Sequence, residues 1–183
     1  MRALLTIVLS TILFASSASA GGRDGGPRIR SLDQRTTAMI AAGMARSASF
    51  RALVEQINAS DTFVYVGVSP LLRSSMAGRL SWMTKAGGFR YLRAAISPDQ
   101  SAHHFIASLA HELQHVVEVI EDSNVVDEPS LESLYKRIGR RSQAHISTSW
   151  ETSAAQDAGA RVRRELSDKP APVVSRLFDS DKL

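Results

Sequence analysis

No cysteine occurs in the 183 residues. The chain therefore forms no disulfide, offers no thiolate nucleophile and has no cysteine to carry a lipid, and any zinc it holds must be bound by His, Asp or Glu. Long apolar runs are missing too. The stretch from Ala3 to Phe14 falls short of the ~20 residues that cross a bilayer, and no later segment approaches that length. No membrane insertion is expected beyond a removable leader. Aromatic residues make up only 6% of the chain, and none interleaves with the clustered arginines Arg140–Arg141 or Arg161, Arg163 and Arg164. Those clusters are read as solvated faces, and no nucleic-acid partner is expected. No internal repeat is visible, so one domain accounts for the length.

What is present begins with an export signal. Arg2 precedes the apolar run, and Ala18-Ser19-Ala20 supplies a small-residue cleavage site. Cleavage after Ala20 would deliver the mature chain to the periplasm or the extracellular space; an uncleaved N-terminal anchor is the rival reading. Removing 20 of 183 residues leaves 163, enough for a core without covalent help. The formal charge of +4 falls to +3 once Arg2 is removed, only a weak pointer to acidic partners. Residues 21–30 are expected to be a flexible, glycine-rich lead-in, residues 31–168 the domain and residues 169–183 a C-terminal tail.

Periodicity predicts an α+β fold. A helical pattern from Asp33 to Asn58 breaks near Ser47–Ser49, with Ser49 as a candidate cap and Phe50, Leu53, Val54 and Ile57 on one face. Thr62–Val68, Arg79–Thr84 and Phe89–Ile96 look like strands of a small, partly antiparallel sheet, the last two joined across Lys85-Ala86-Gly87-Gly88. Ser97-Pro98-Asp99-Gln100 combines several helix-start signals, and a long helix to about Glu121 should follow. Pro129–Ile138 predicts a helix with Leu131, Leu134, Tyr135 and Ile138 at core spacing, stopped by Gly139. A final helix is predicted from Trp150 to about Ser167.

The chemistry concentrates in His111-Glu112-Leu113-Gln114-His115. At about 100° per residue, His115 falls about 40° from His111, so two imidazoles one turn apart can share an ion. Glu112 lies about 60° from His115, close enough to reach a water on that ion. Zinc needs this arrangement, because it lowers the pKa of its water to about 7 while a neighbouring carboxylate takes the proton. The plain alternative is a solvated polar stripe of His104, Ser108, His111, His115, Glu118 and Asp122, opposite Phe105, Leu109, Leu113, Val116 and Ile120.

A third zinc ligand is required, and several residues compete. Glu121 occupies the place used by one class of zinc peptidase, but the glycine that turns the chain there is replaced by Glu118. Glu118 stands about 10 Å along the helix axis from His111, too far to share the ion. His145 is isolated in sequence. Glu151 is the best candidate, since the predicted last helix plants it among Ala154, Ala155, Ala158 and Val162, where a buried carboxylate needs a cation or donors. A capping box with Thr148 is the structural alternative.

The segments His111–His115 and Glu151-Thr152-Ser153-Ala154-Ala155 together resemble the zincin metallopeptidases, within them the gluzincin branch, in which H-E-x-x-H on one helix is joined by a later Glu. The resemblance implies a small mixed sheet packed on an active-site helix, with further C-terminal helices. It implies one zinc ion bound by His111, His115 and Glu151, Glu112 as general base, and a peptide or protein substrate lying along an edge strand, for which Phe89–Ile96 is the expected segment. Tyr135 and His145 are weaker candidates to stabilise an oxyanion, and His104 is a candidate to reach the cleft, though a surface position suits it better. One departure matters: many gluzincins carry an Asp four residues after the ligand Glu, and here that position is Ala155. Asp157 projects away from Glu151 and is no substitute. The competing function is a zincin-like module that keeps the fold and binds or stabilises without turnover.

Overall fold

Alternation along the β-branched segment Thr62–Val68 places Val64 and Val66 on one side and Phe63 and Tyr65 on the other. In the computed structural model, which describes residues 26–72, 76–141 and 150–168, this segment is β2, an inner strand of a four-stranded sheet. The sheet has the order β1-β2-β4-β3, with β1 at Ile29–Ser31, β3 at Gly78–Ala86 and β4 at Phe89–Ile96. β1 and β4 run parallel to β2, whereas β3 runs antiparallel to β4. The protein is thus an α+β fold with a mixed sheet and, among the described residues, five helices. None of those helices is long and apolar enough to cross a membrane.

Three strand expectations change. β4 is an interior strand, hydrogen-bonded on both sides and burying Leu92, Ala94 and Ile96, so the edge belongs to β3. Residues 29 and 30 leave the predicted lead-in and join β1, because Ile29 packs into the core and the flanking Arg28 and Leu32 exchange backbone hydrogen bonds with Val64 and Val66. The β3–β4 turn is Gly87-Gly88, both at positive φ, while Lys85 and Ala86 stay in the ladder opposite Arg90 and Phe89. Two such φ values make the tight turn that suits strand twist, and glycine adopts them freely.

The first two helices, α1 (Gln34–Arg46) and α2 (Ala48–Asn58), meet at Ser47 rather than at Ser49. Ser47 closes α1, and its Oγ accepts the Phe50 N–H at 3.0 Å to open α2. Glu165 braces this junction from a later helix, accepting from both Ser47 Oγ and Ser49 Oγ at 2.6 Å.

The long helix α3 spans Ala102–Glu121 and is capped by Ser101, four residues after the predicted start. The reason is that Ser97 donates its N–H to Ala77 O and Gln100 donates its side-chain amide to the same oxygen. The Ser-Pro-Asp-Gln segment therefore ties the chain to the start of β3. Helix α4 (Glu128–Ile138) begins with a capping box between Asp127 and Ser130 and ends at Gly139, as predicted. Helix α5 spans Ser153–Asp168, starting three residues later than expected.

α3 lies against one face of the sheet with Phe105, Leu109, Leu113 and Val116 removed from solvent, joined by Phe50 and Ile57 of α2 and Val162 and Leu166 of α5. Its other side is only in part the solvated stripe of the plain alternative: His104 is exposed and Ser108, His111 and Asp122 are half-buried, but His115 and Glu118 are removed from solvent. Glu112, His115 and Glu118 are only 5%, 5% and 7% exposed, because β3, α4 and α5 close over them. The far face of the sheet is shielded by its own side chains, with Arg28 lying over Phe63 and Phe89 at 4.3 and 4.6 Å. The expected signal at residues 1–20 and the expected tail at residues 169–183 fall outside the described residues.

Asp33 ties the first turn of α1 to the end of β2: Oδ1 accepts from Thr36 N at 2.7 Å, and Oδ2 from Thr36 Oγ1 and Val68 N at 2.8 and 3.1 Å. Partial burial disfavours its charge, but hydrogen bonds from Thr36, Val68 and Arg35 outweigh that and hold its pKa below the ordinary value. Asp33→Ala should lower stability by about 1–2 kcal/mol at neutral pH in a urea titration. A depressed folded pKa makes the carboxylate's contribution full above the unfolded value, about 3.9, and lost as pH falls through the folded one. The gap between wild type and Asp33→Ala should therefore close in acid.

Candidate metal centre

α3 sets His111 and His115 one turn apart, with ring centroids at 4.8 Å and planes at 81°. Glu151 reaches them from a different element than the sequence predicts. It lies in β6 (Trp150–Glu151), paired antiparallel with β5 (Arg140–Arg141), so that Arg140 stands opposite Glu151. Thr152 ends this strand and caps α5, its Oγ1 accepting the Ala155 N–H at 3.1 Å. Glu151 is consequently in extended backbone before the helix, not on the helix's apolar stripe. Gly139 makes room for this strand: a Cβ there would stand 2.7 Å from Tyr135 O and 3.4 Å from Glu151 O. Thr148, the proposed capping partner, and His145 lie outside the described residues.

The three predicted ligands nevertheless converge. One donor atom from each of His111, His115 and Glu151 can be chosen so that all lie within 4.8 Å of one another. His111 Nε2 and Glu151 Oε2 are 3.1 Å apart. Two ligands on a tetrahedral zinc, at about 2.0–2.1 Å each, stand about 3.3 Å apart, so the pair needs little movement to share an ion. His115 turns Nδ1 to Glu118 Oε2 at 2.7 Å, which leaves its Nε2 for a cation. Two imidazole nitrogens and one carboxylate oxygen form a donor set that could hold a divalent metal ion, zinc among them.

Glu112 belongs to the site without belonging to the ligand group. Its carboxylate lies under the start of β3 and takes a hydrogen bond from the Leu80 N–H. Burial pushes its pKa up, assisted by Glu151, against the downward pull of His115, His111 and the Leu80 N–H. Gly78 supplies the space, since a Cβ there would fall 2.6 Å from Glu112 Oε1. Burial disfavours the imidazolium of His111, but the hydrogen bond to Glu151 and the charges of Glu112, Glu151 and Glu118 outweigh it and raise its pKa.

These groups line the floor of a cleft of about 590 Å³ bounded by β3, α3, α4 and α5. Leu80 and Trp82 form one wall, Leu131 and Tyr135 another, and Gly159 and Arg163 a third. α5 closes on α3 at Gly159, where a Cβ would stand 3.1 Å from Ala107 O and 3.4 Å from His111 Cβ. Tyr135 donates its hydroxyl to His115 O at 3.1 Å and sets its ring edge-on to that imidazole. Burial, then the charges of Glu118 and Glu112, push the phenol's pKa well up. The hydroxyl thus donates to the α3 backbone in this structure. His104 is an exposed residue at the rim, with Nδ1 3.0 Å from Ser101 Oγ, and Asp157 is exposed on α5.

No family model, curated protein or solved structure matches the chain.

Two residues of the site escape the sequence reading. Glu118, set aside for its distance from His111, touches His115 instead, and the i,i+3 spacing on one helix was the signal for it. Thr152 donates its hydroxyl to Glu118 Oε1, a contact across 34 residues with no local signal. The packing of Glu112 against β3 gives a direct test. Gly78→Val should displace the carboxylate and cost about 1–3 kcal/mol in thermal or urea unfolding. Gly87→Asn, in open space at a φ that Asn tolerates, should change stability by less than about 0.5 kcal/mol.

Proposed function

We propose that the protein is an exported zinc-dependent metallopeptidase of gluzincin-like architecture that hydrolyses peptide bonds in peptide or protein substrates. The observation that carries this reading is the convergence of His111, His115 and Glu151 beside a buried Glu112 at the floor of an open cleft. The sequence features of residues 1–20 support export. Zinc, when bound, supplies Lewis acidity that polarises a carbonyl and brings the pKa of a bound water to about 7.

His111, His115 and Glu151 would hold the metal, and the remaining residues divide the other tasks. Glu112 is the general base: it accepts a proton as water oxygen bonds to the peptide carbonyl carbon, and returns it to the amine nitrogen as the C–N bond breaks. β3 borders the cleft as a sheet edge, which favours an extended substrate docking as an added strand. Leu80 and Trp82 offer apolar surface to its side chains.

Metal content and cleavage test different parts of this reading. The purified chain should bind one zinc, and His111→Ala, His115→Ala or Glu151→Gln should each weaken binding by at least about 100-fold. Glu112→Gln should retain zinc while cleavage of a mixed peptide library falls by about 10²–10⁴-fold. Zinc-loaded wild-type protein that leaves such a library intact would make this a metal-binding module without turnover. Undiminished cleavage by Glu112→Gln would remove the assigned base.

A further inference from the structure

Glu118 is a buried carboxylate that the proposed chemistry leaves without a task. It is 7% exposed, stands three residues after His115 on α3, and has both oxygens engaged. Oε2 accepts from His115 Nδ1 at 2.7 Å, and Oε1 accepts from Thr152 Oγ1. Thr152, also buried, spends its one hydroxyl proton on Glu118 and uses a lone pair for the Ala155 N–H that opens α5. The next residue back is Glu151.

We propose that Glu118 is the positioning acid of this centre, fixing His115 with Nε2 toward the metal and, through Thr152, locking that histidine to the segment that presents Glu151. The inference rests on the metal reading above and adds to it a residue and a coupling. A carboxylate accepts and cannot donate when ionised, so the contact places the imidazole proton on Nδ1 and leaves the Nε2 lone pair outward. Carboxylate–imidazole–metal relays of this kind orient the ring and raise its basicity. Ala155, where the family resemblance directs attention for an orienting acid, has only a methyl group and is fully buried. The orienting acid has moved to α3, beside the histidine it holds. Tyr135 completes the frame from the α4 side, with its ring edge against the same imidazole at 5.1 Å. Because Thr152 bridges Glu118 to the start of α5, the orientation of His115 and the placement of Glu151 are one constraint.

The metal-free chain gives the first readout. With nitrogen-15 in the histidines and a pH of about 8.5, where a typical imidazole is neutral, the His115 signal should report the Nδ1–H tautomer. In Glu118→Leu it should shift toward the Nε2–H form. Zinc affinity, measured by competition with a chelator, should fall about 10–100-fold in Glu118→Leu and several-fold in Thr152→Val. The losses in the double variant should be less than additive, because the two changes share one relay. Glu118→Gln keeps shape and one acceptor; it should retain the Nδ1–H tautomer with a smaller loss of affinity, and it carries the test if the Leu variant does not fold. A purely structural Glu118 would lower the thermal midpoint while leaving tautomer and zinc affinity at wild-type values, which overturns the proposal. Failure of the parent chain to bind zinc would sink the metal reading alone, since the tautomer of the metal-free protein still decides whether Glu118 orients His115.

Discussion

The structure depends on the burial of both sides of α3. One side carries Phe105, Leu109, Leu113 and Val116 against the sheet, as any amphipathic helix would. The other carries Glu112, His115 and Glu118, and it too is covered. Charged and polar groups placed there lose water and must find partners within the protein. Each one does: Glu112 takes the Leu80 N–H, His115 pairs with Glu118, and Glu118 takes Thr152. A merely solvated polar stripe would need none of these contacts.

Small residues make that enclosure possible. Gly78 admits the Glu112 carboxylate beneath β3, Gly139 lets β6 pass close to the end of α4, and Gly159 brings α5 onto α3 beside His111. None of the three has a positive φ, so their shared role is close approach rather than unusual backbone. The two glycines that do have positive φ, Gly87 and Gly88, form the turn of a hairpin. The cleft that results is deep enough to keep Glu112 nearly dry, yet leaves the side chains of His111 and Glu151 20% and 32% exposed. That gradient is compatible with the proposed function, in which Glu112 would be shielded and the His111–Glu151 side open.

Much of the fold was legible because its signals are local. The β-branched run at Thr62–Val68, the Gly87-Gly88 turn, and the Leu131, Leu134 and Gly139 pattern of α4 each act within a few residues, and each appears as expected or with shifted ends. Where boundaries moved, a tertiary contact competed with a local signal. Ser97-Pro98-Asp99-Gln100 has the composition of a helix start, but Ala77 O captures Ser97 and Gln100 and the helix waits for Ser101. Glu151 has helical spacing with its alanines, but pairing with Arg140 and the Thr152 cap keep it extended.

By itself, the sequence determined which side chains can meet within one helix: His111, Glu112 and His115 share a face because the helical repeat puts them there. It also excluded thiolate ligands and thiolate nucleophiles, since the chain has no cysteine. It did not determine which edge of the sheet borders the cleft, how Glu151 arrives, or what holds His115. Those depend on contacts such as Thr152 to Glu118 and Gly78 to Glu112, between residues 34 apart in both cases. No local periodicity encodes such distances; only the closing of β3, α4 and α5 over α3 brings those groups together.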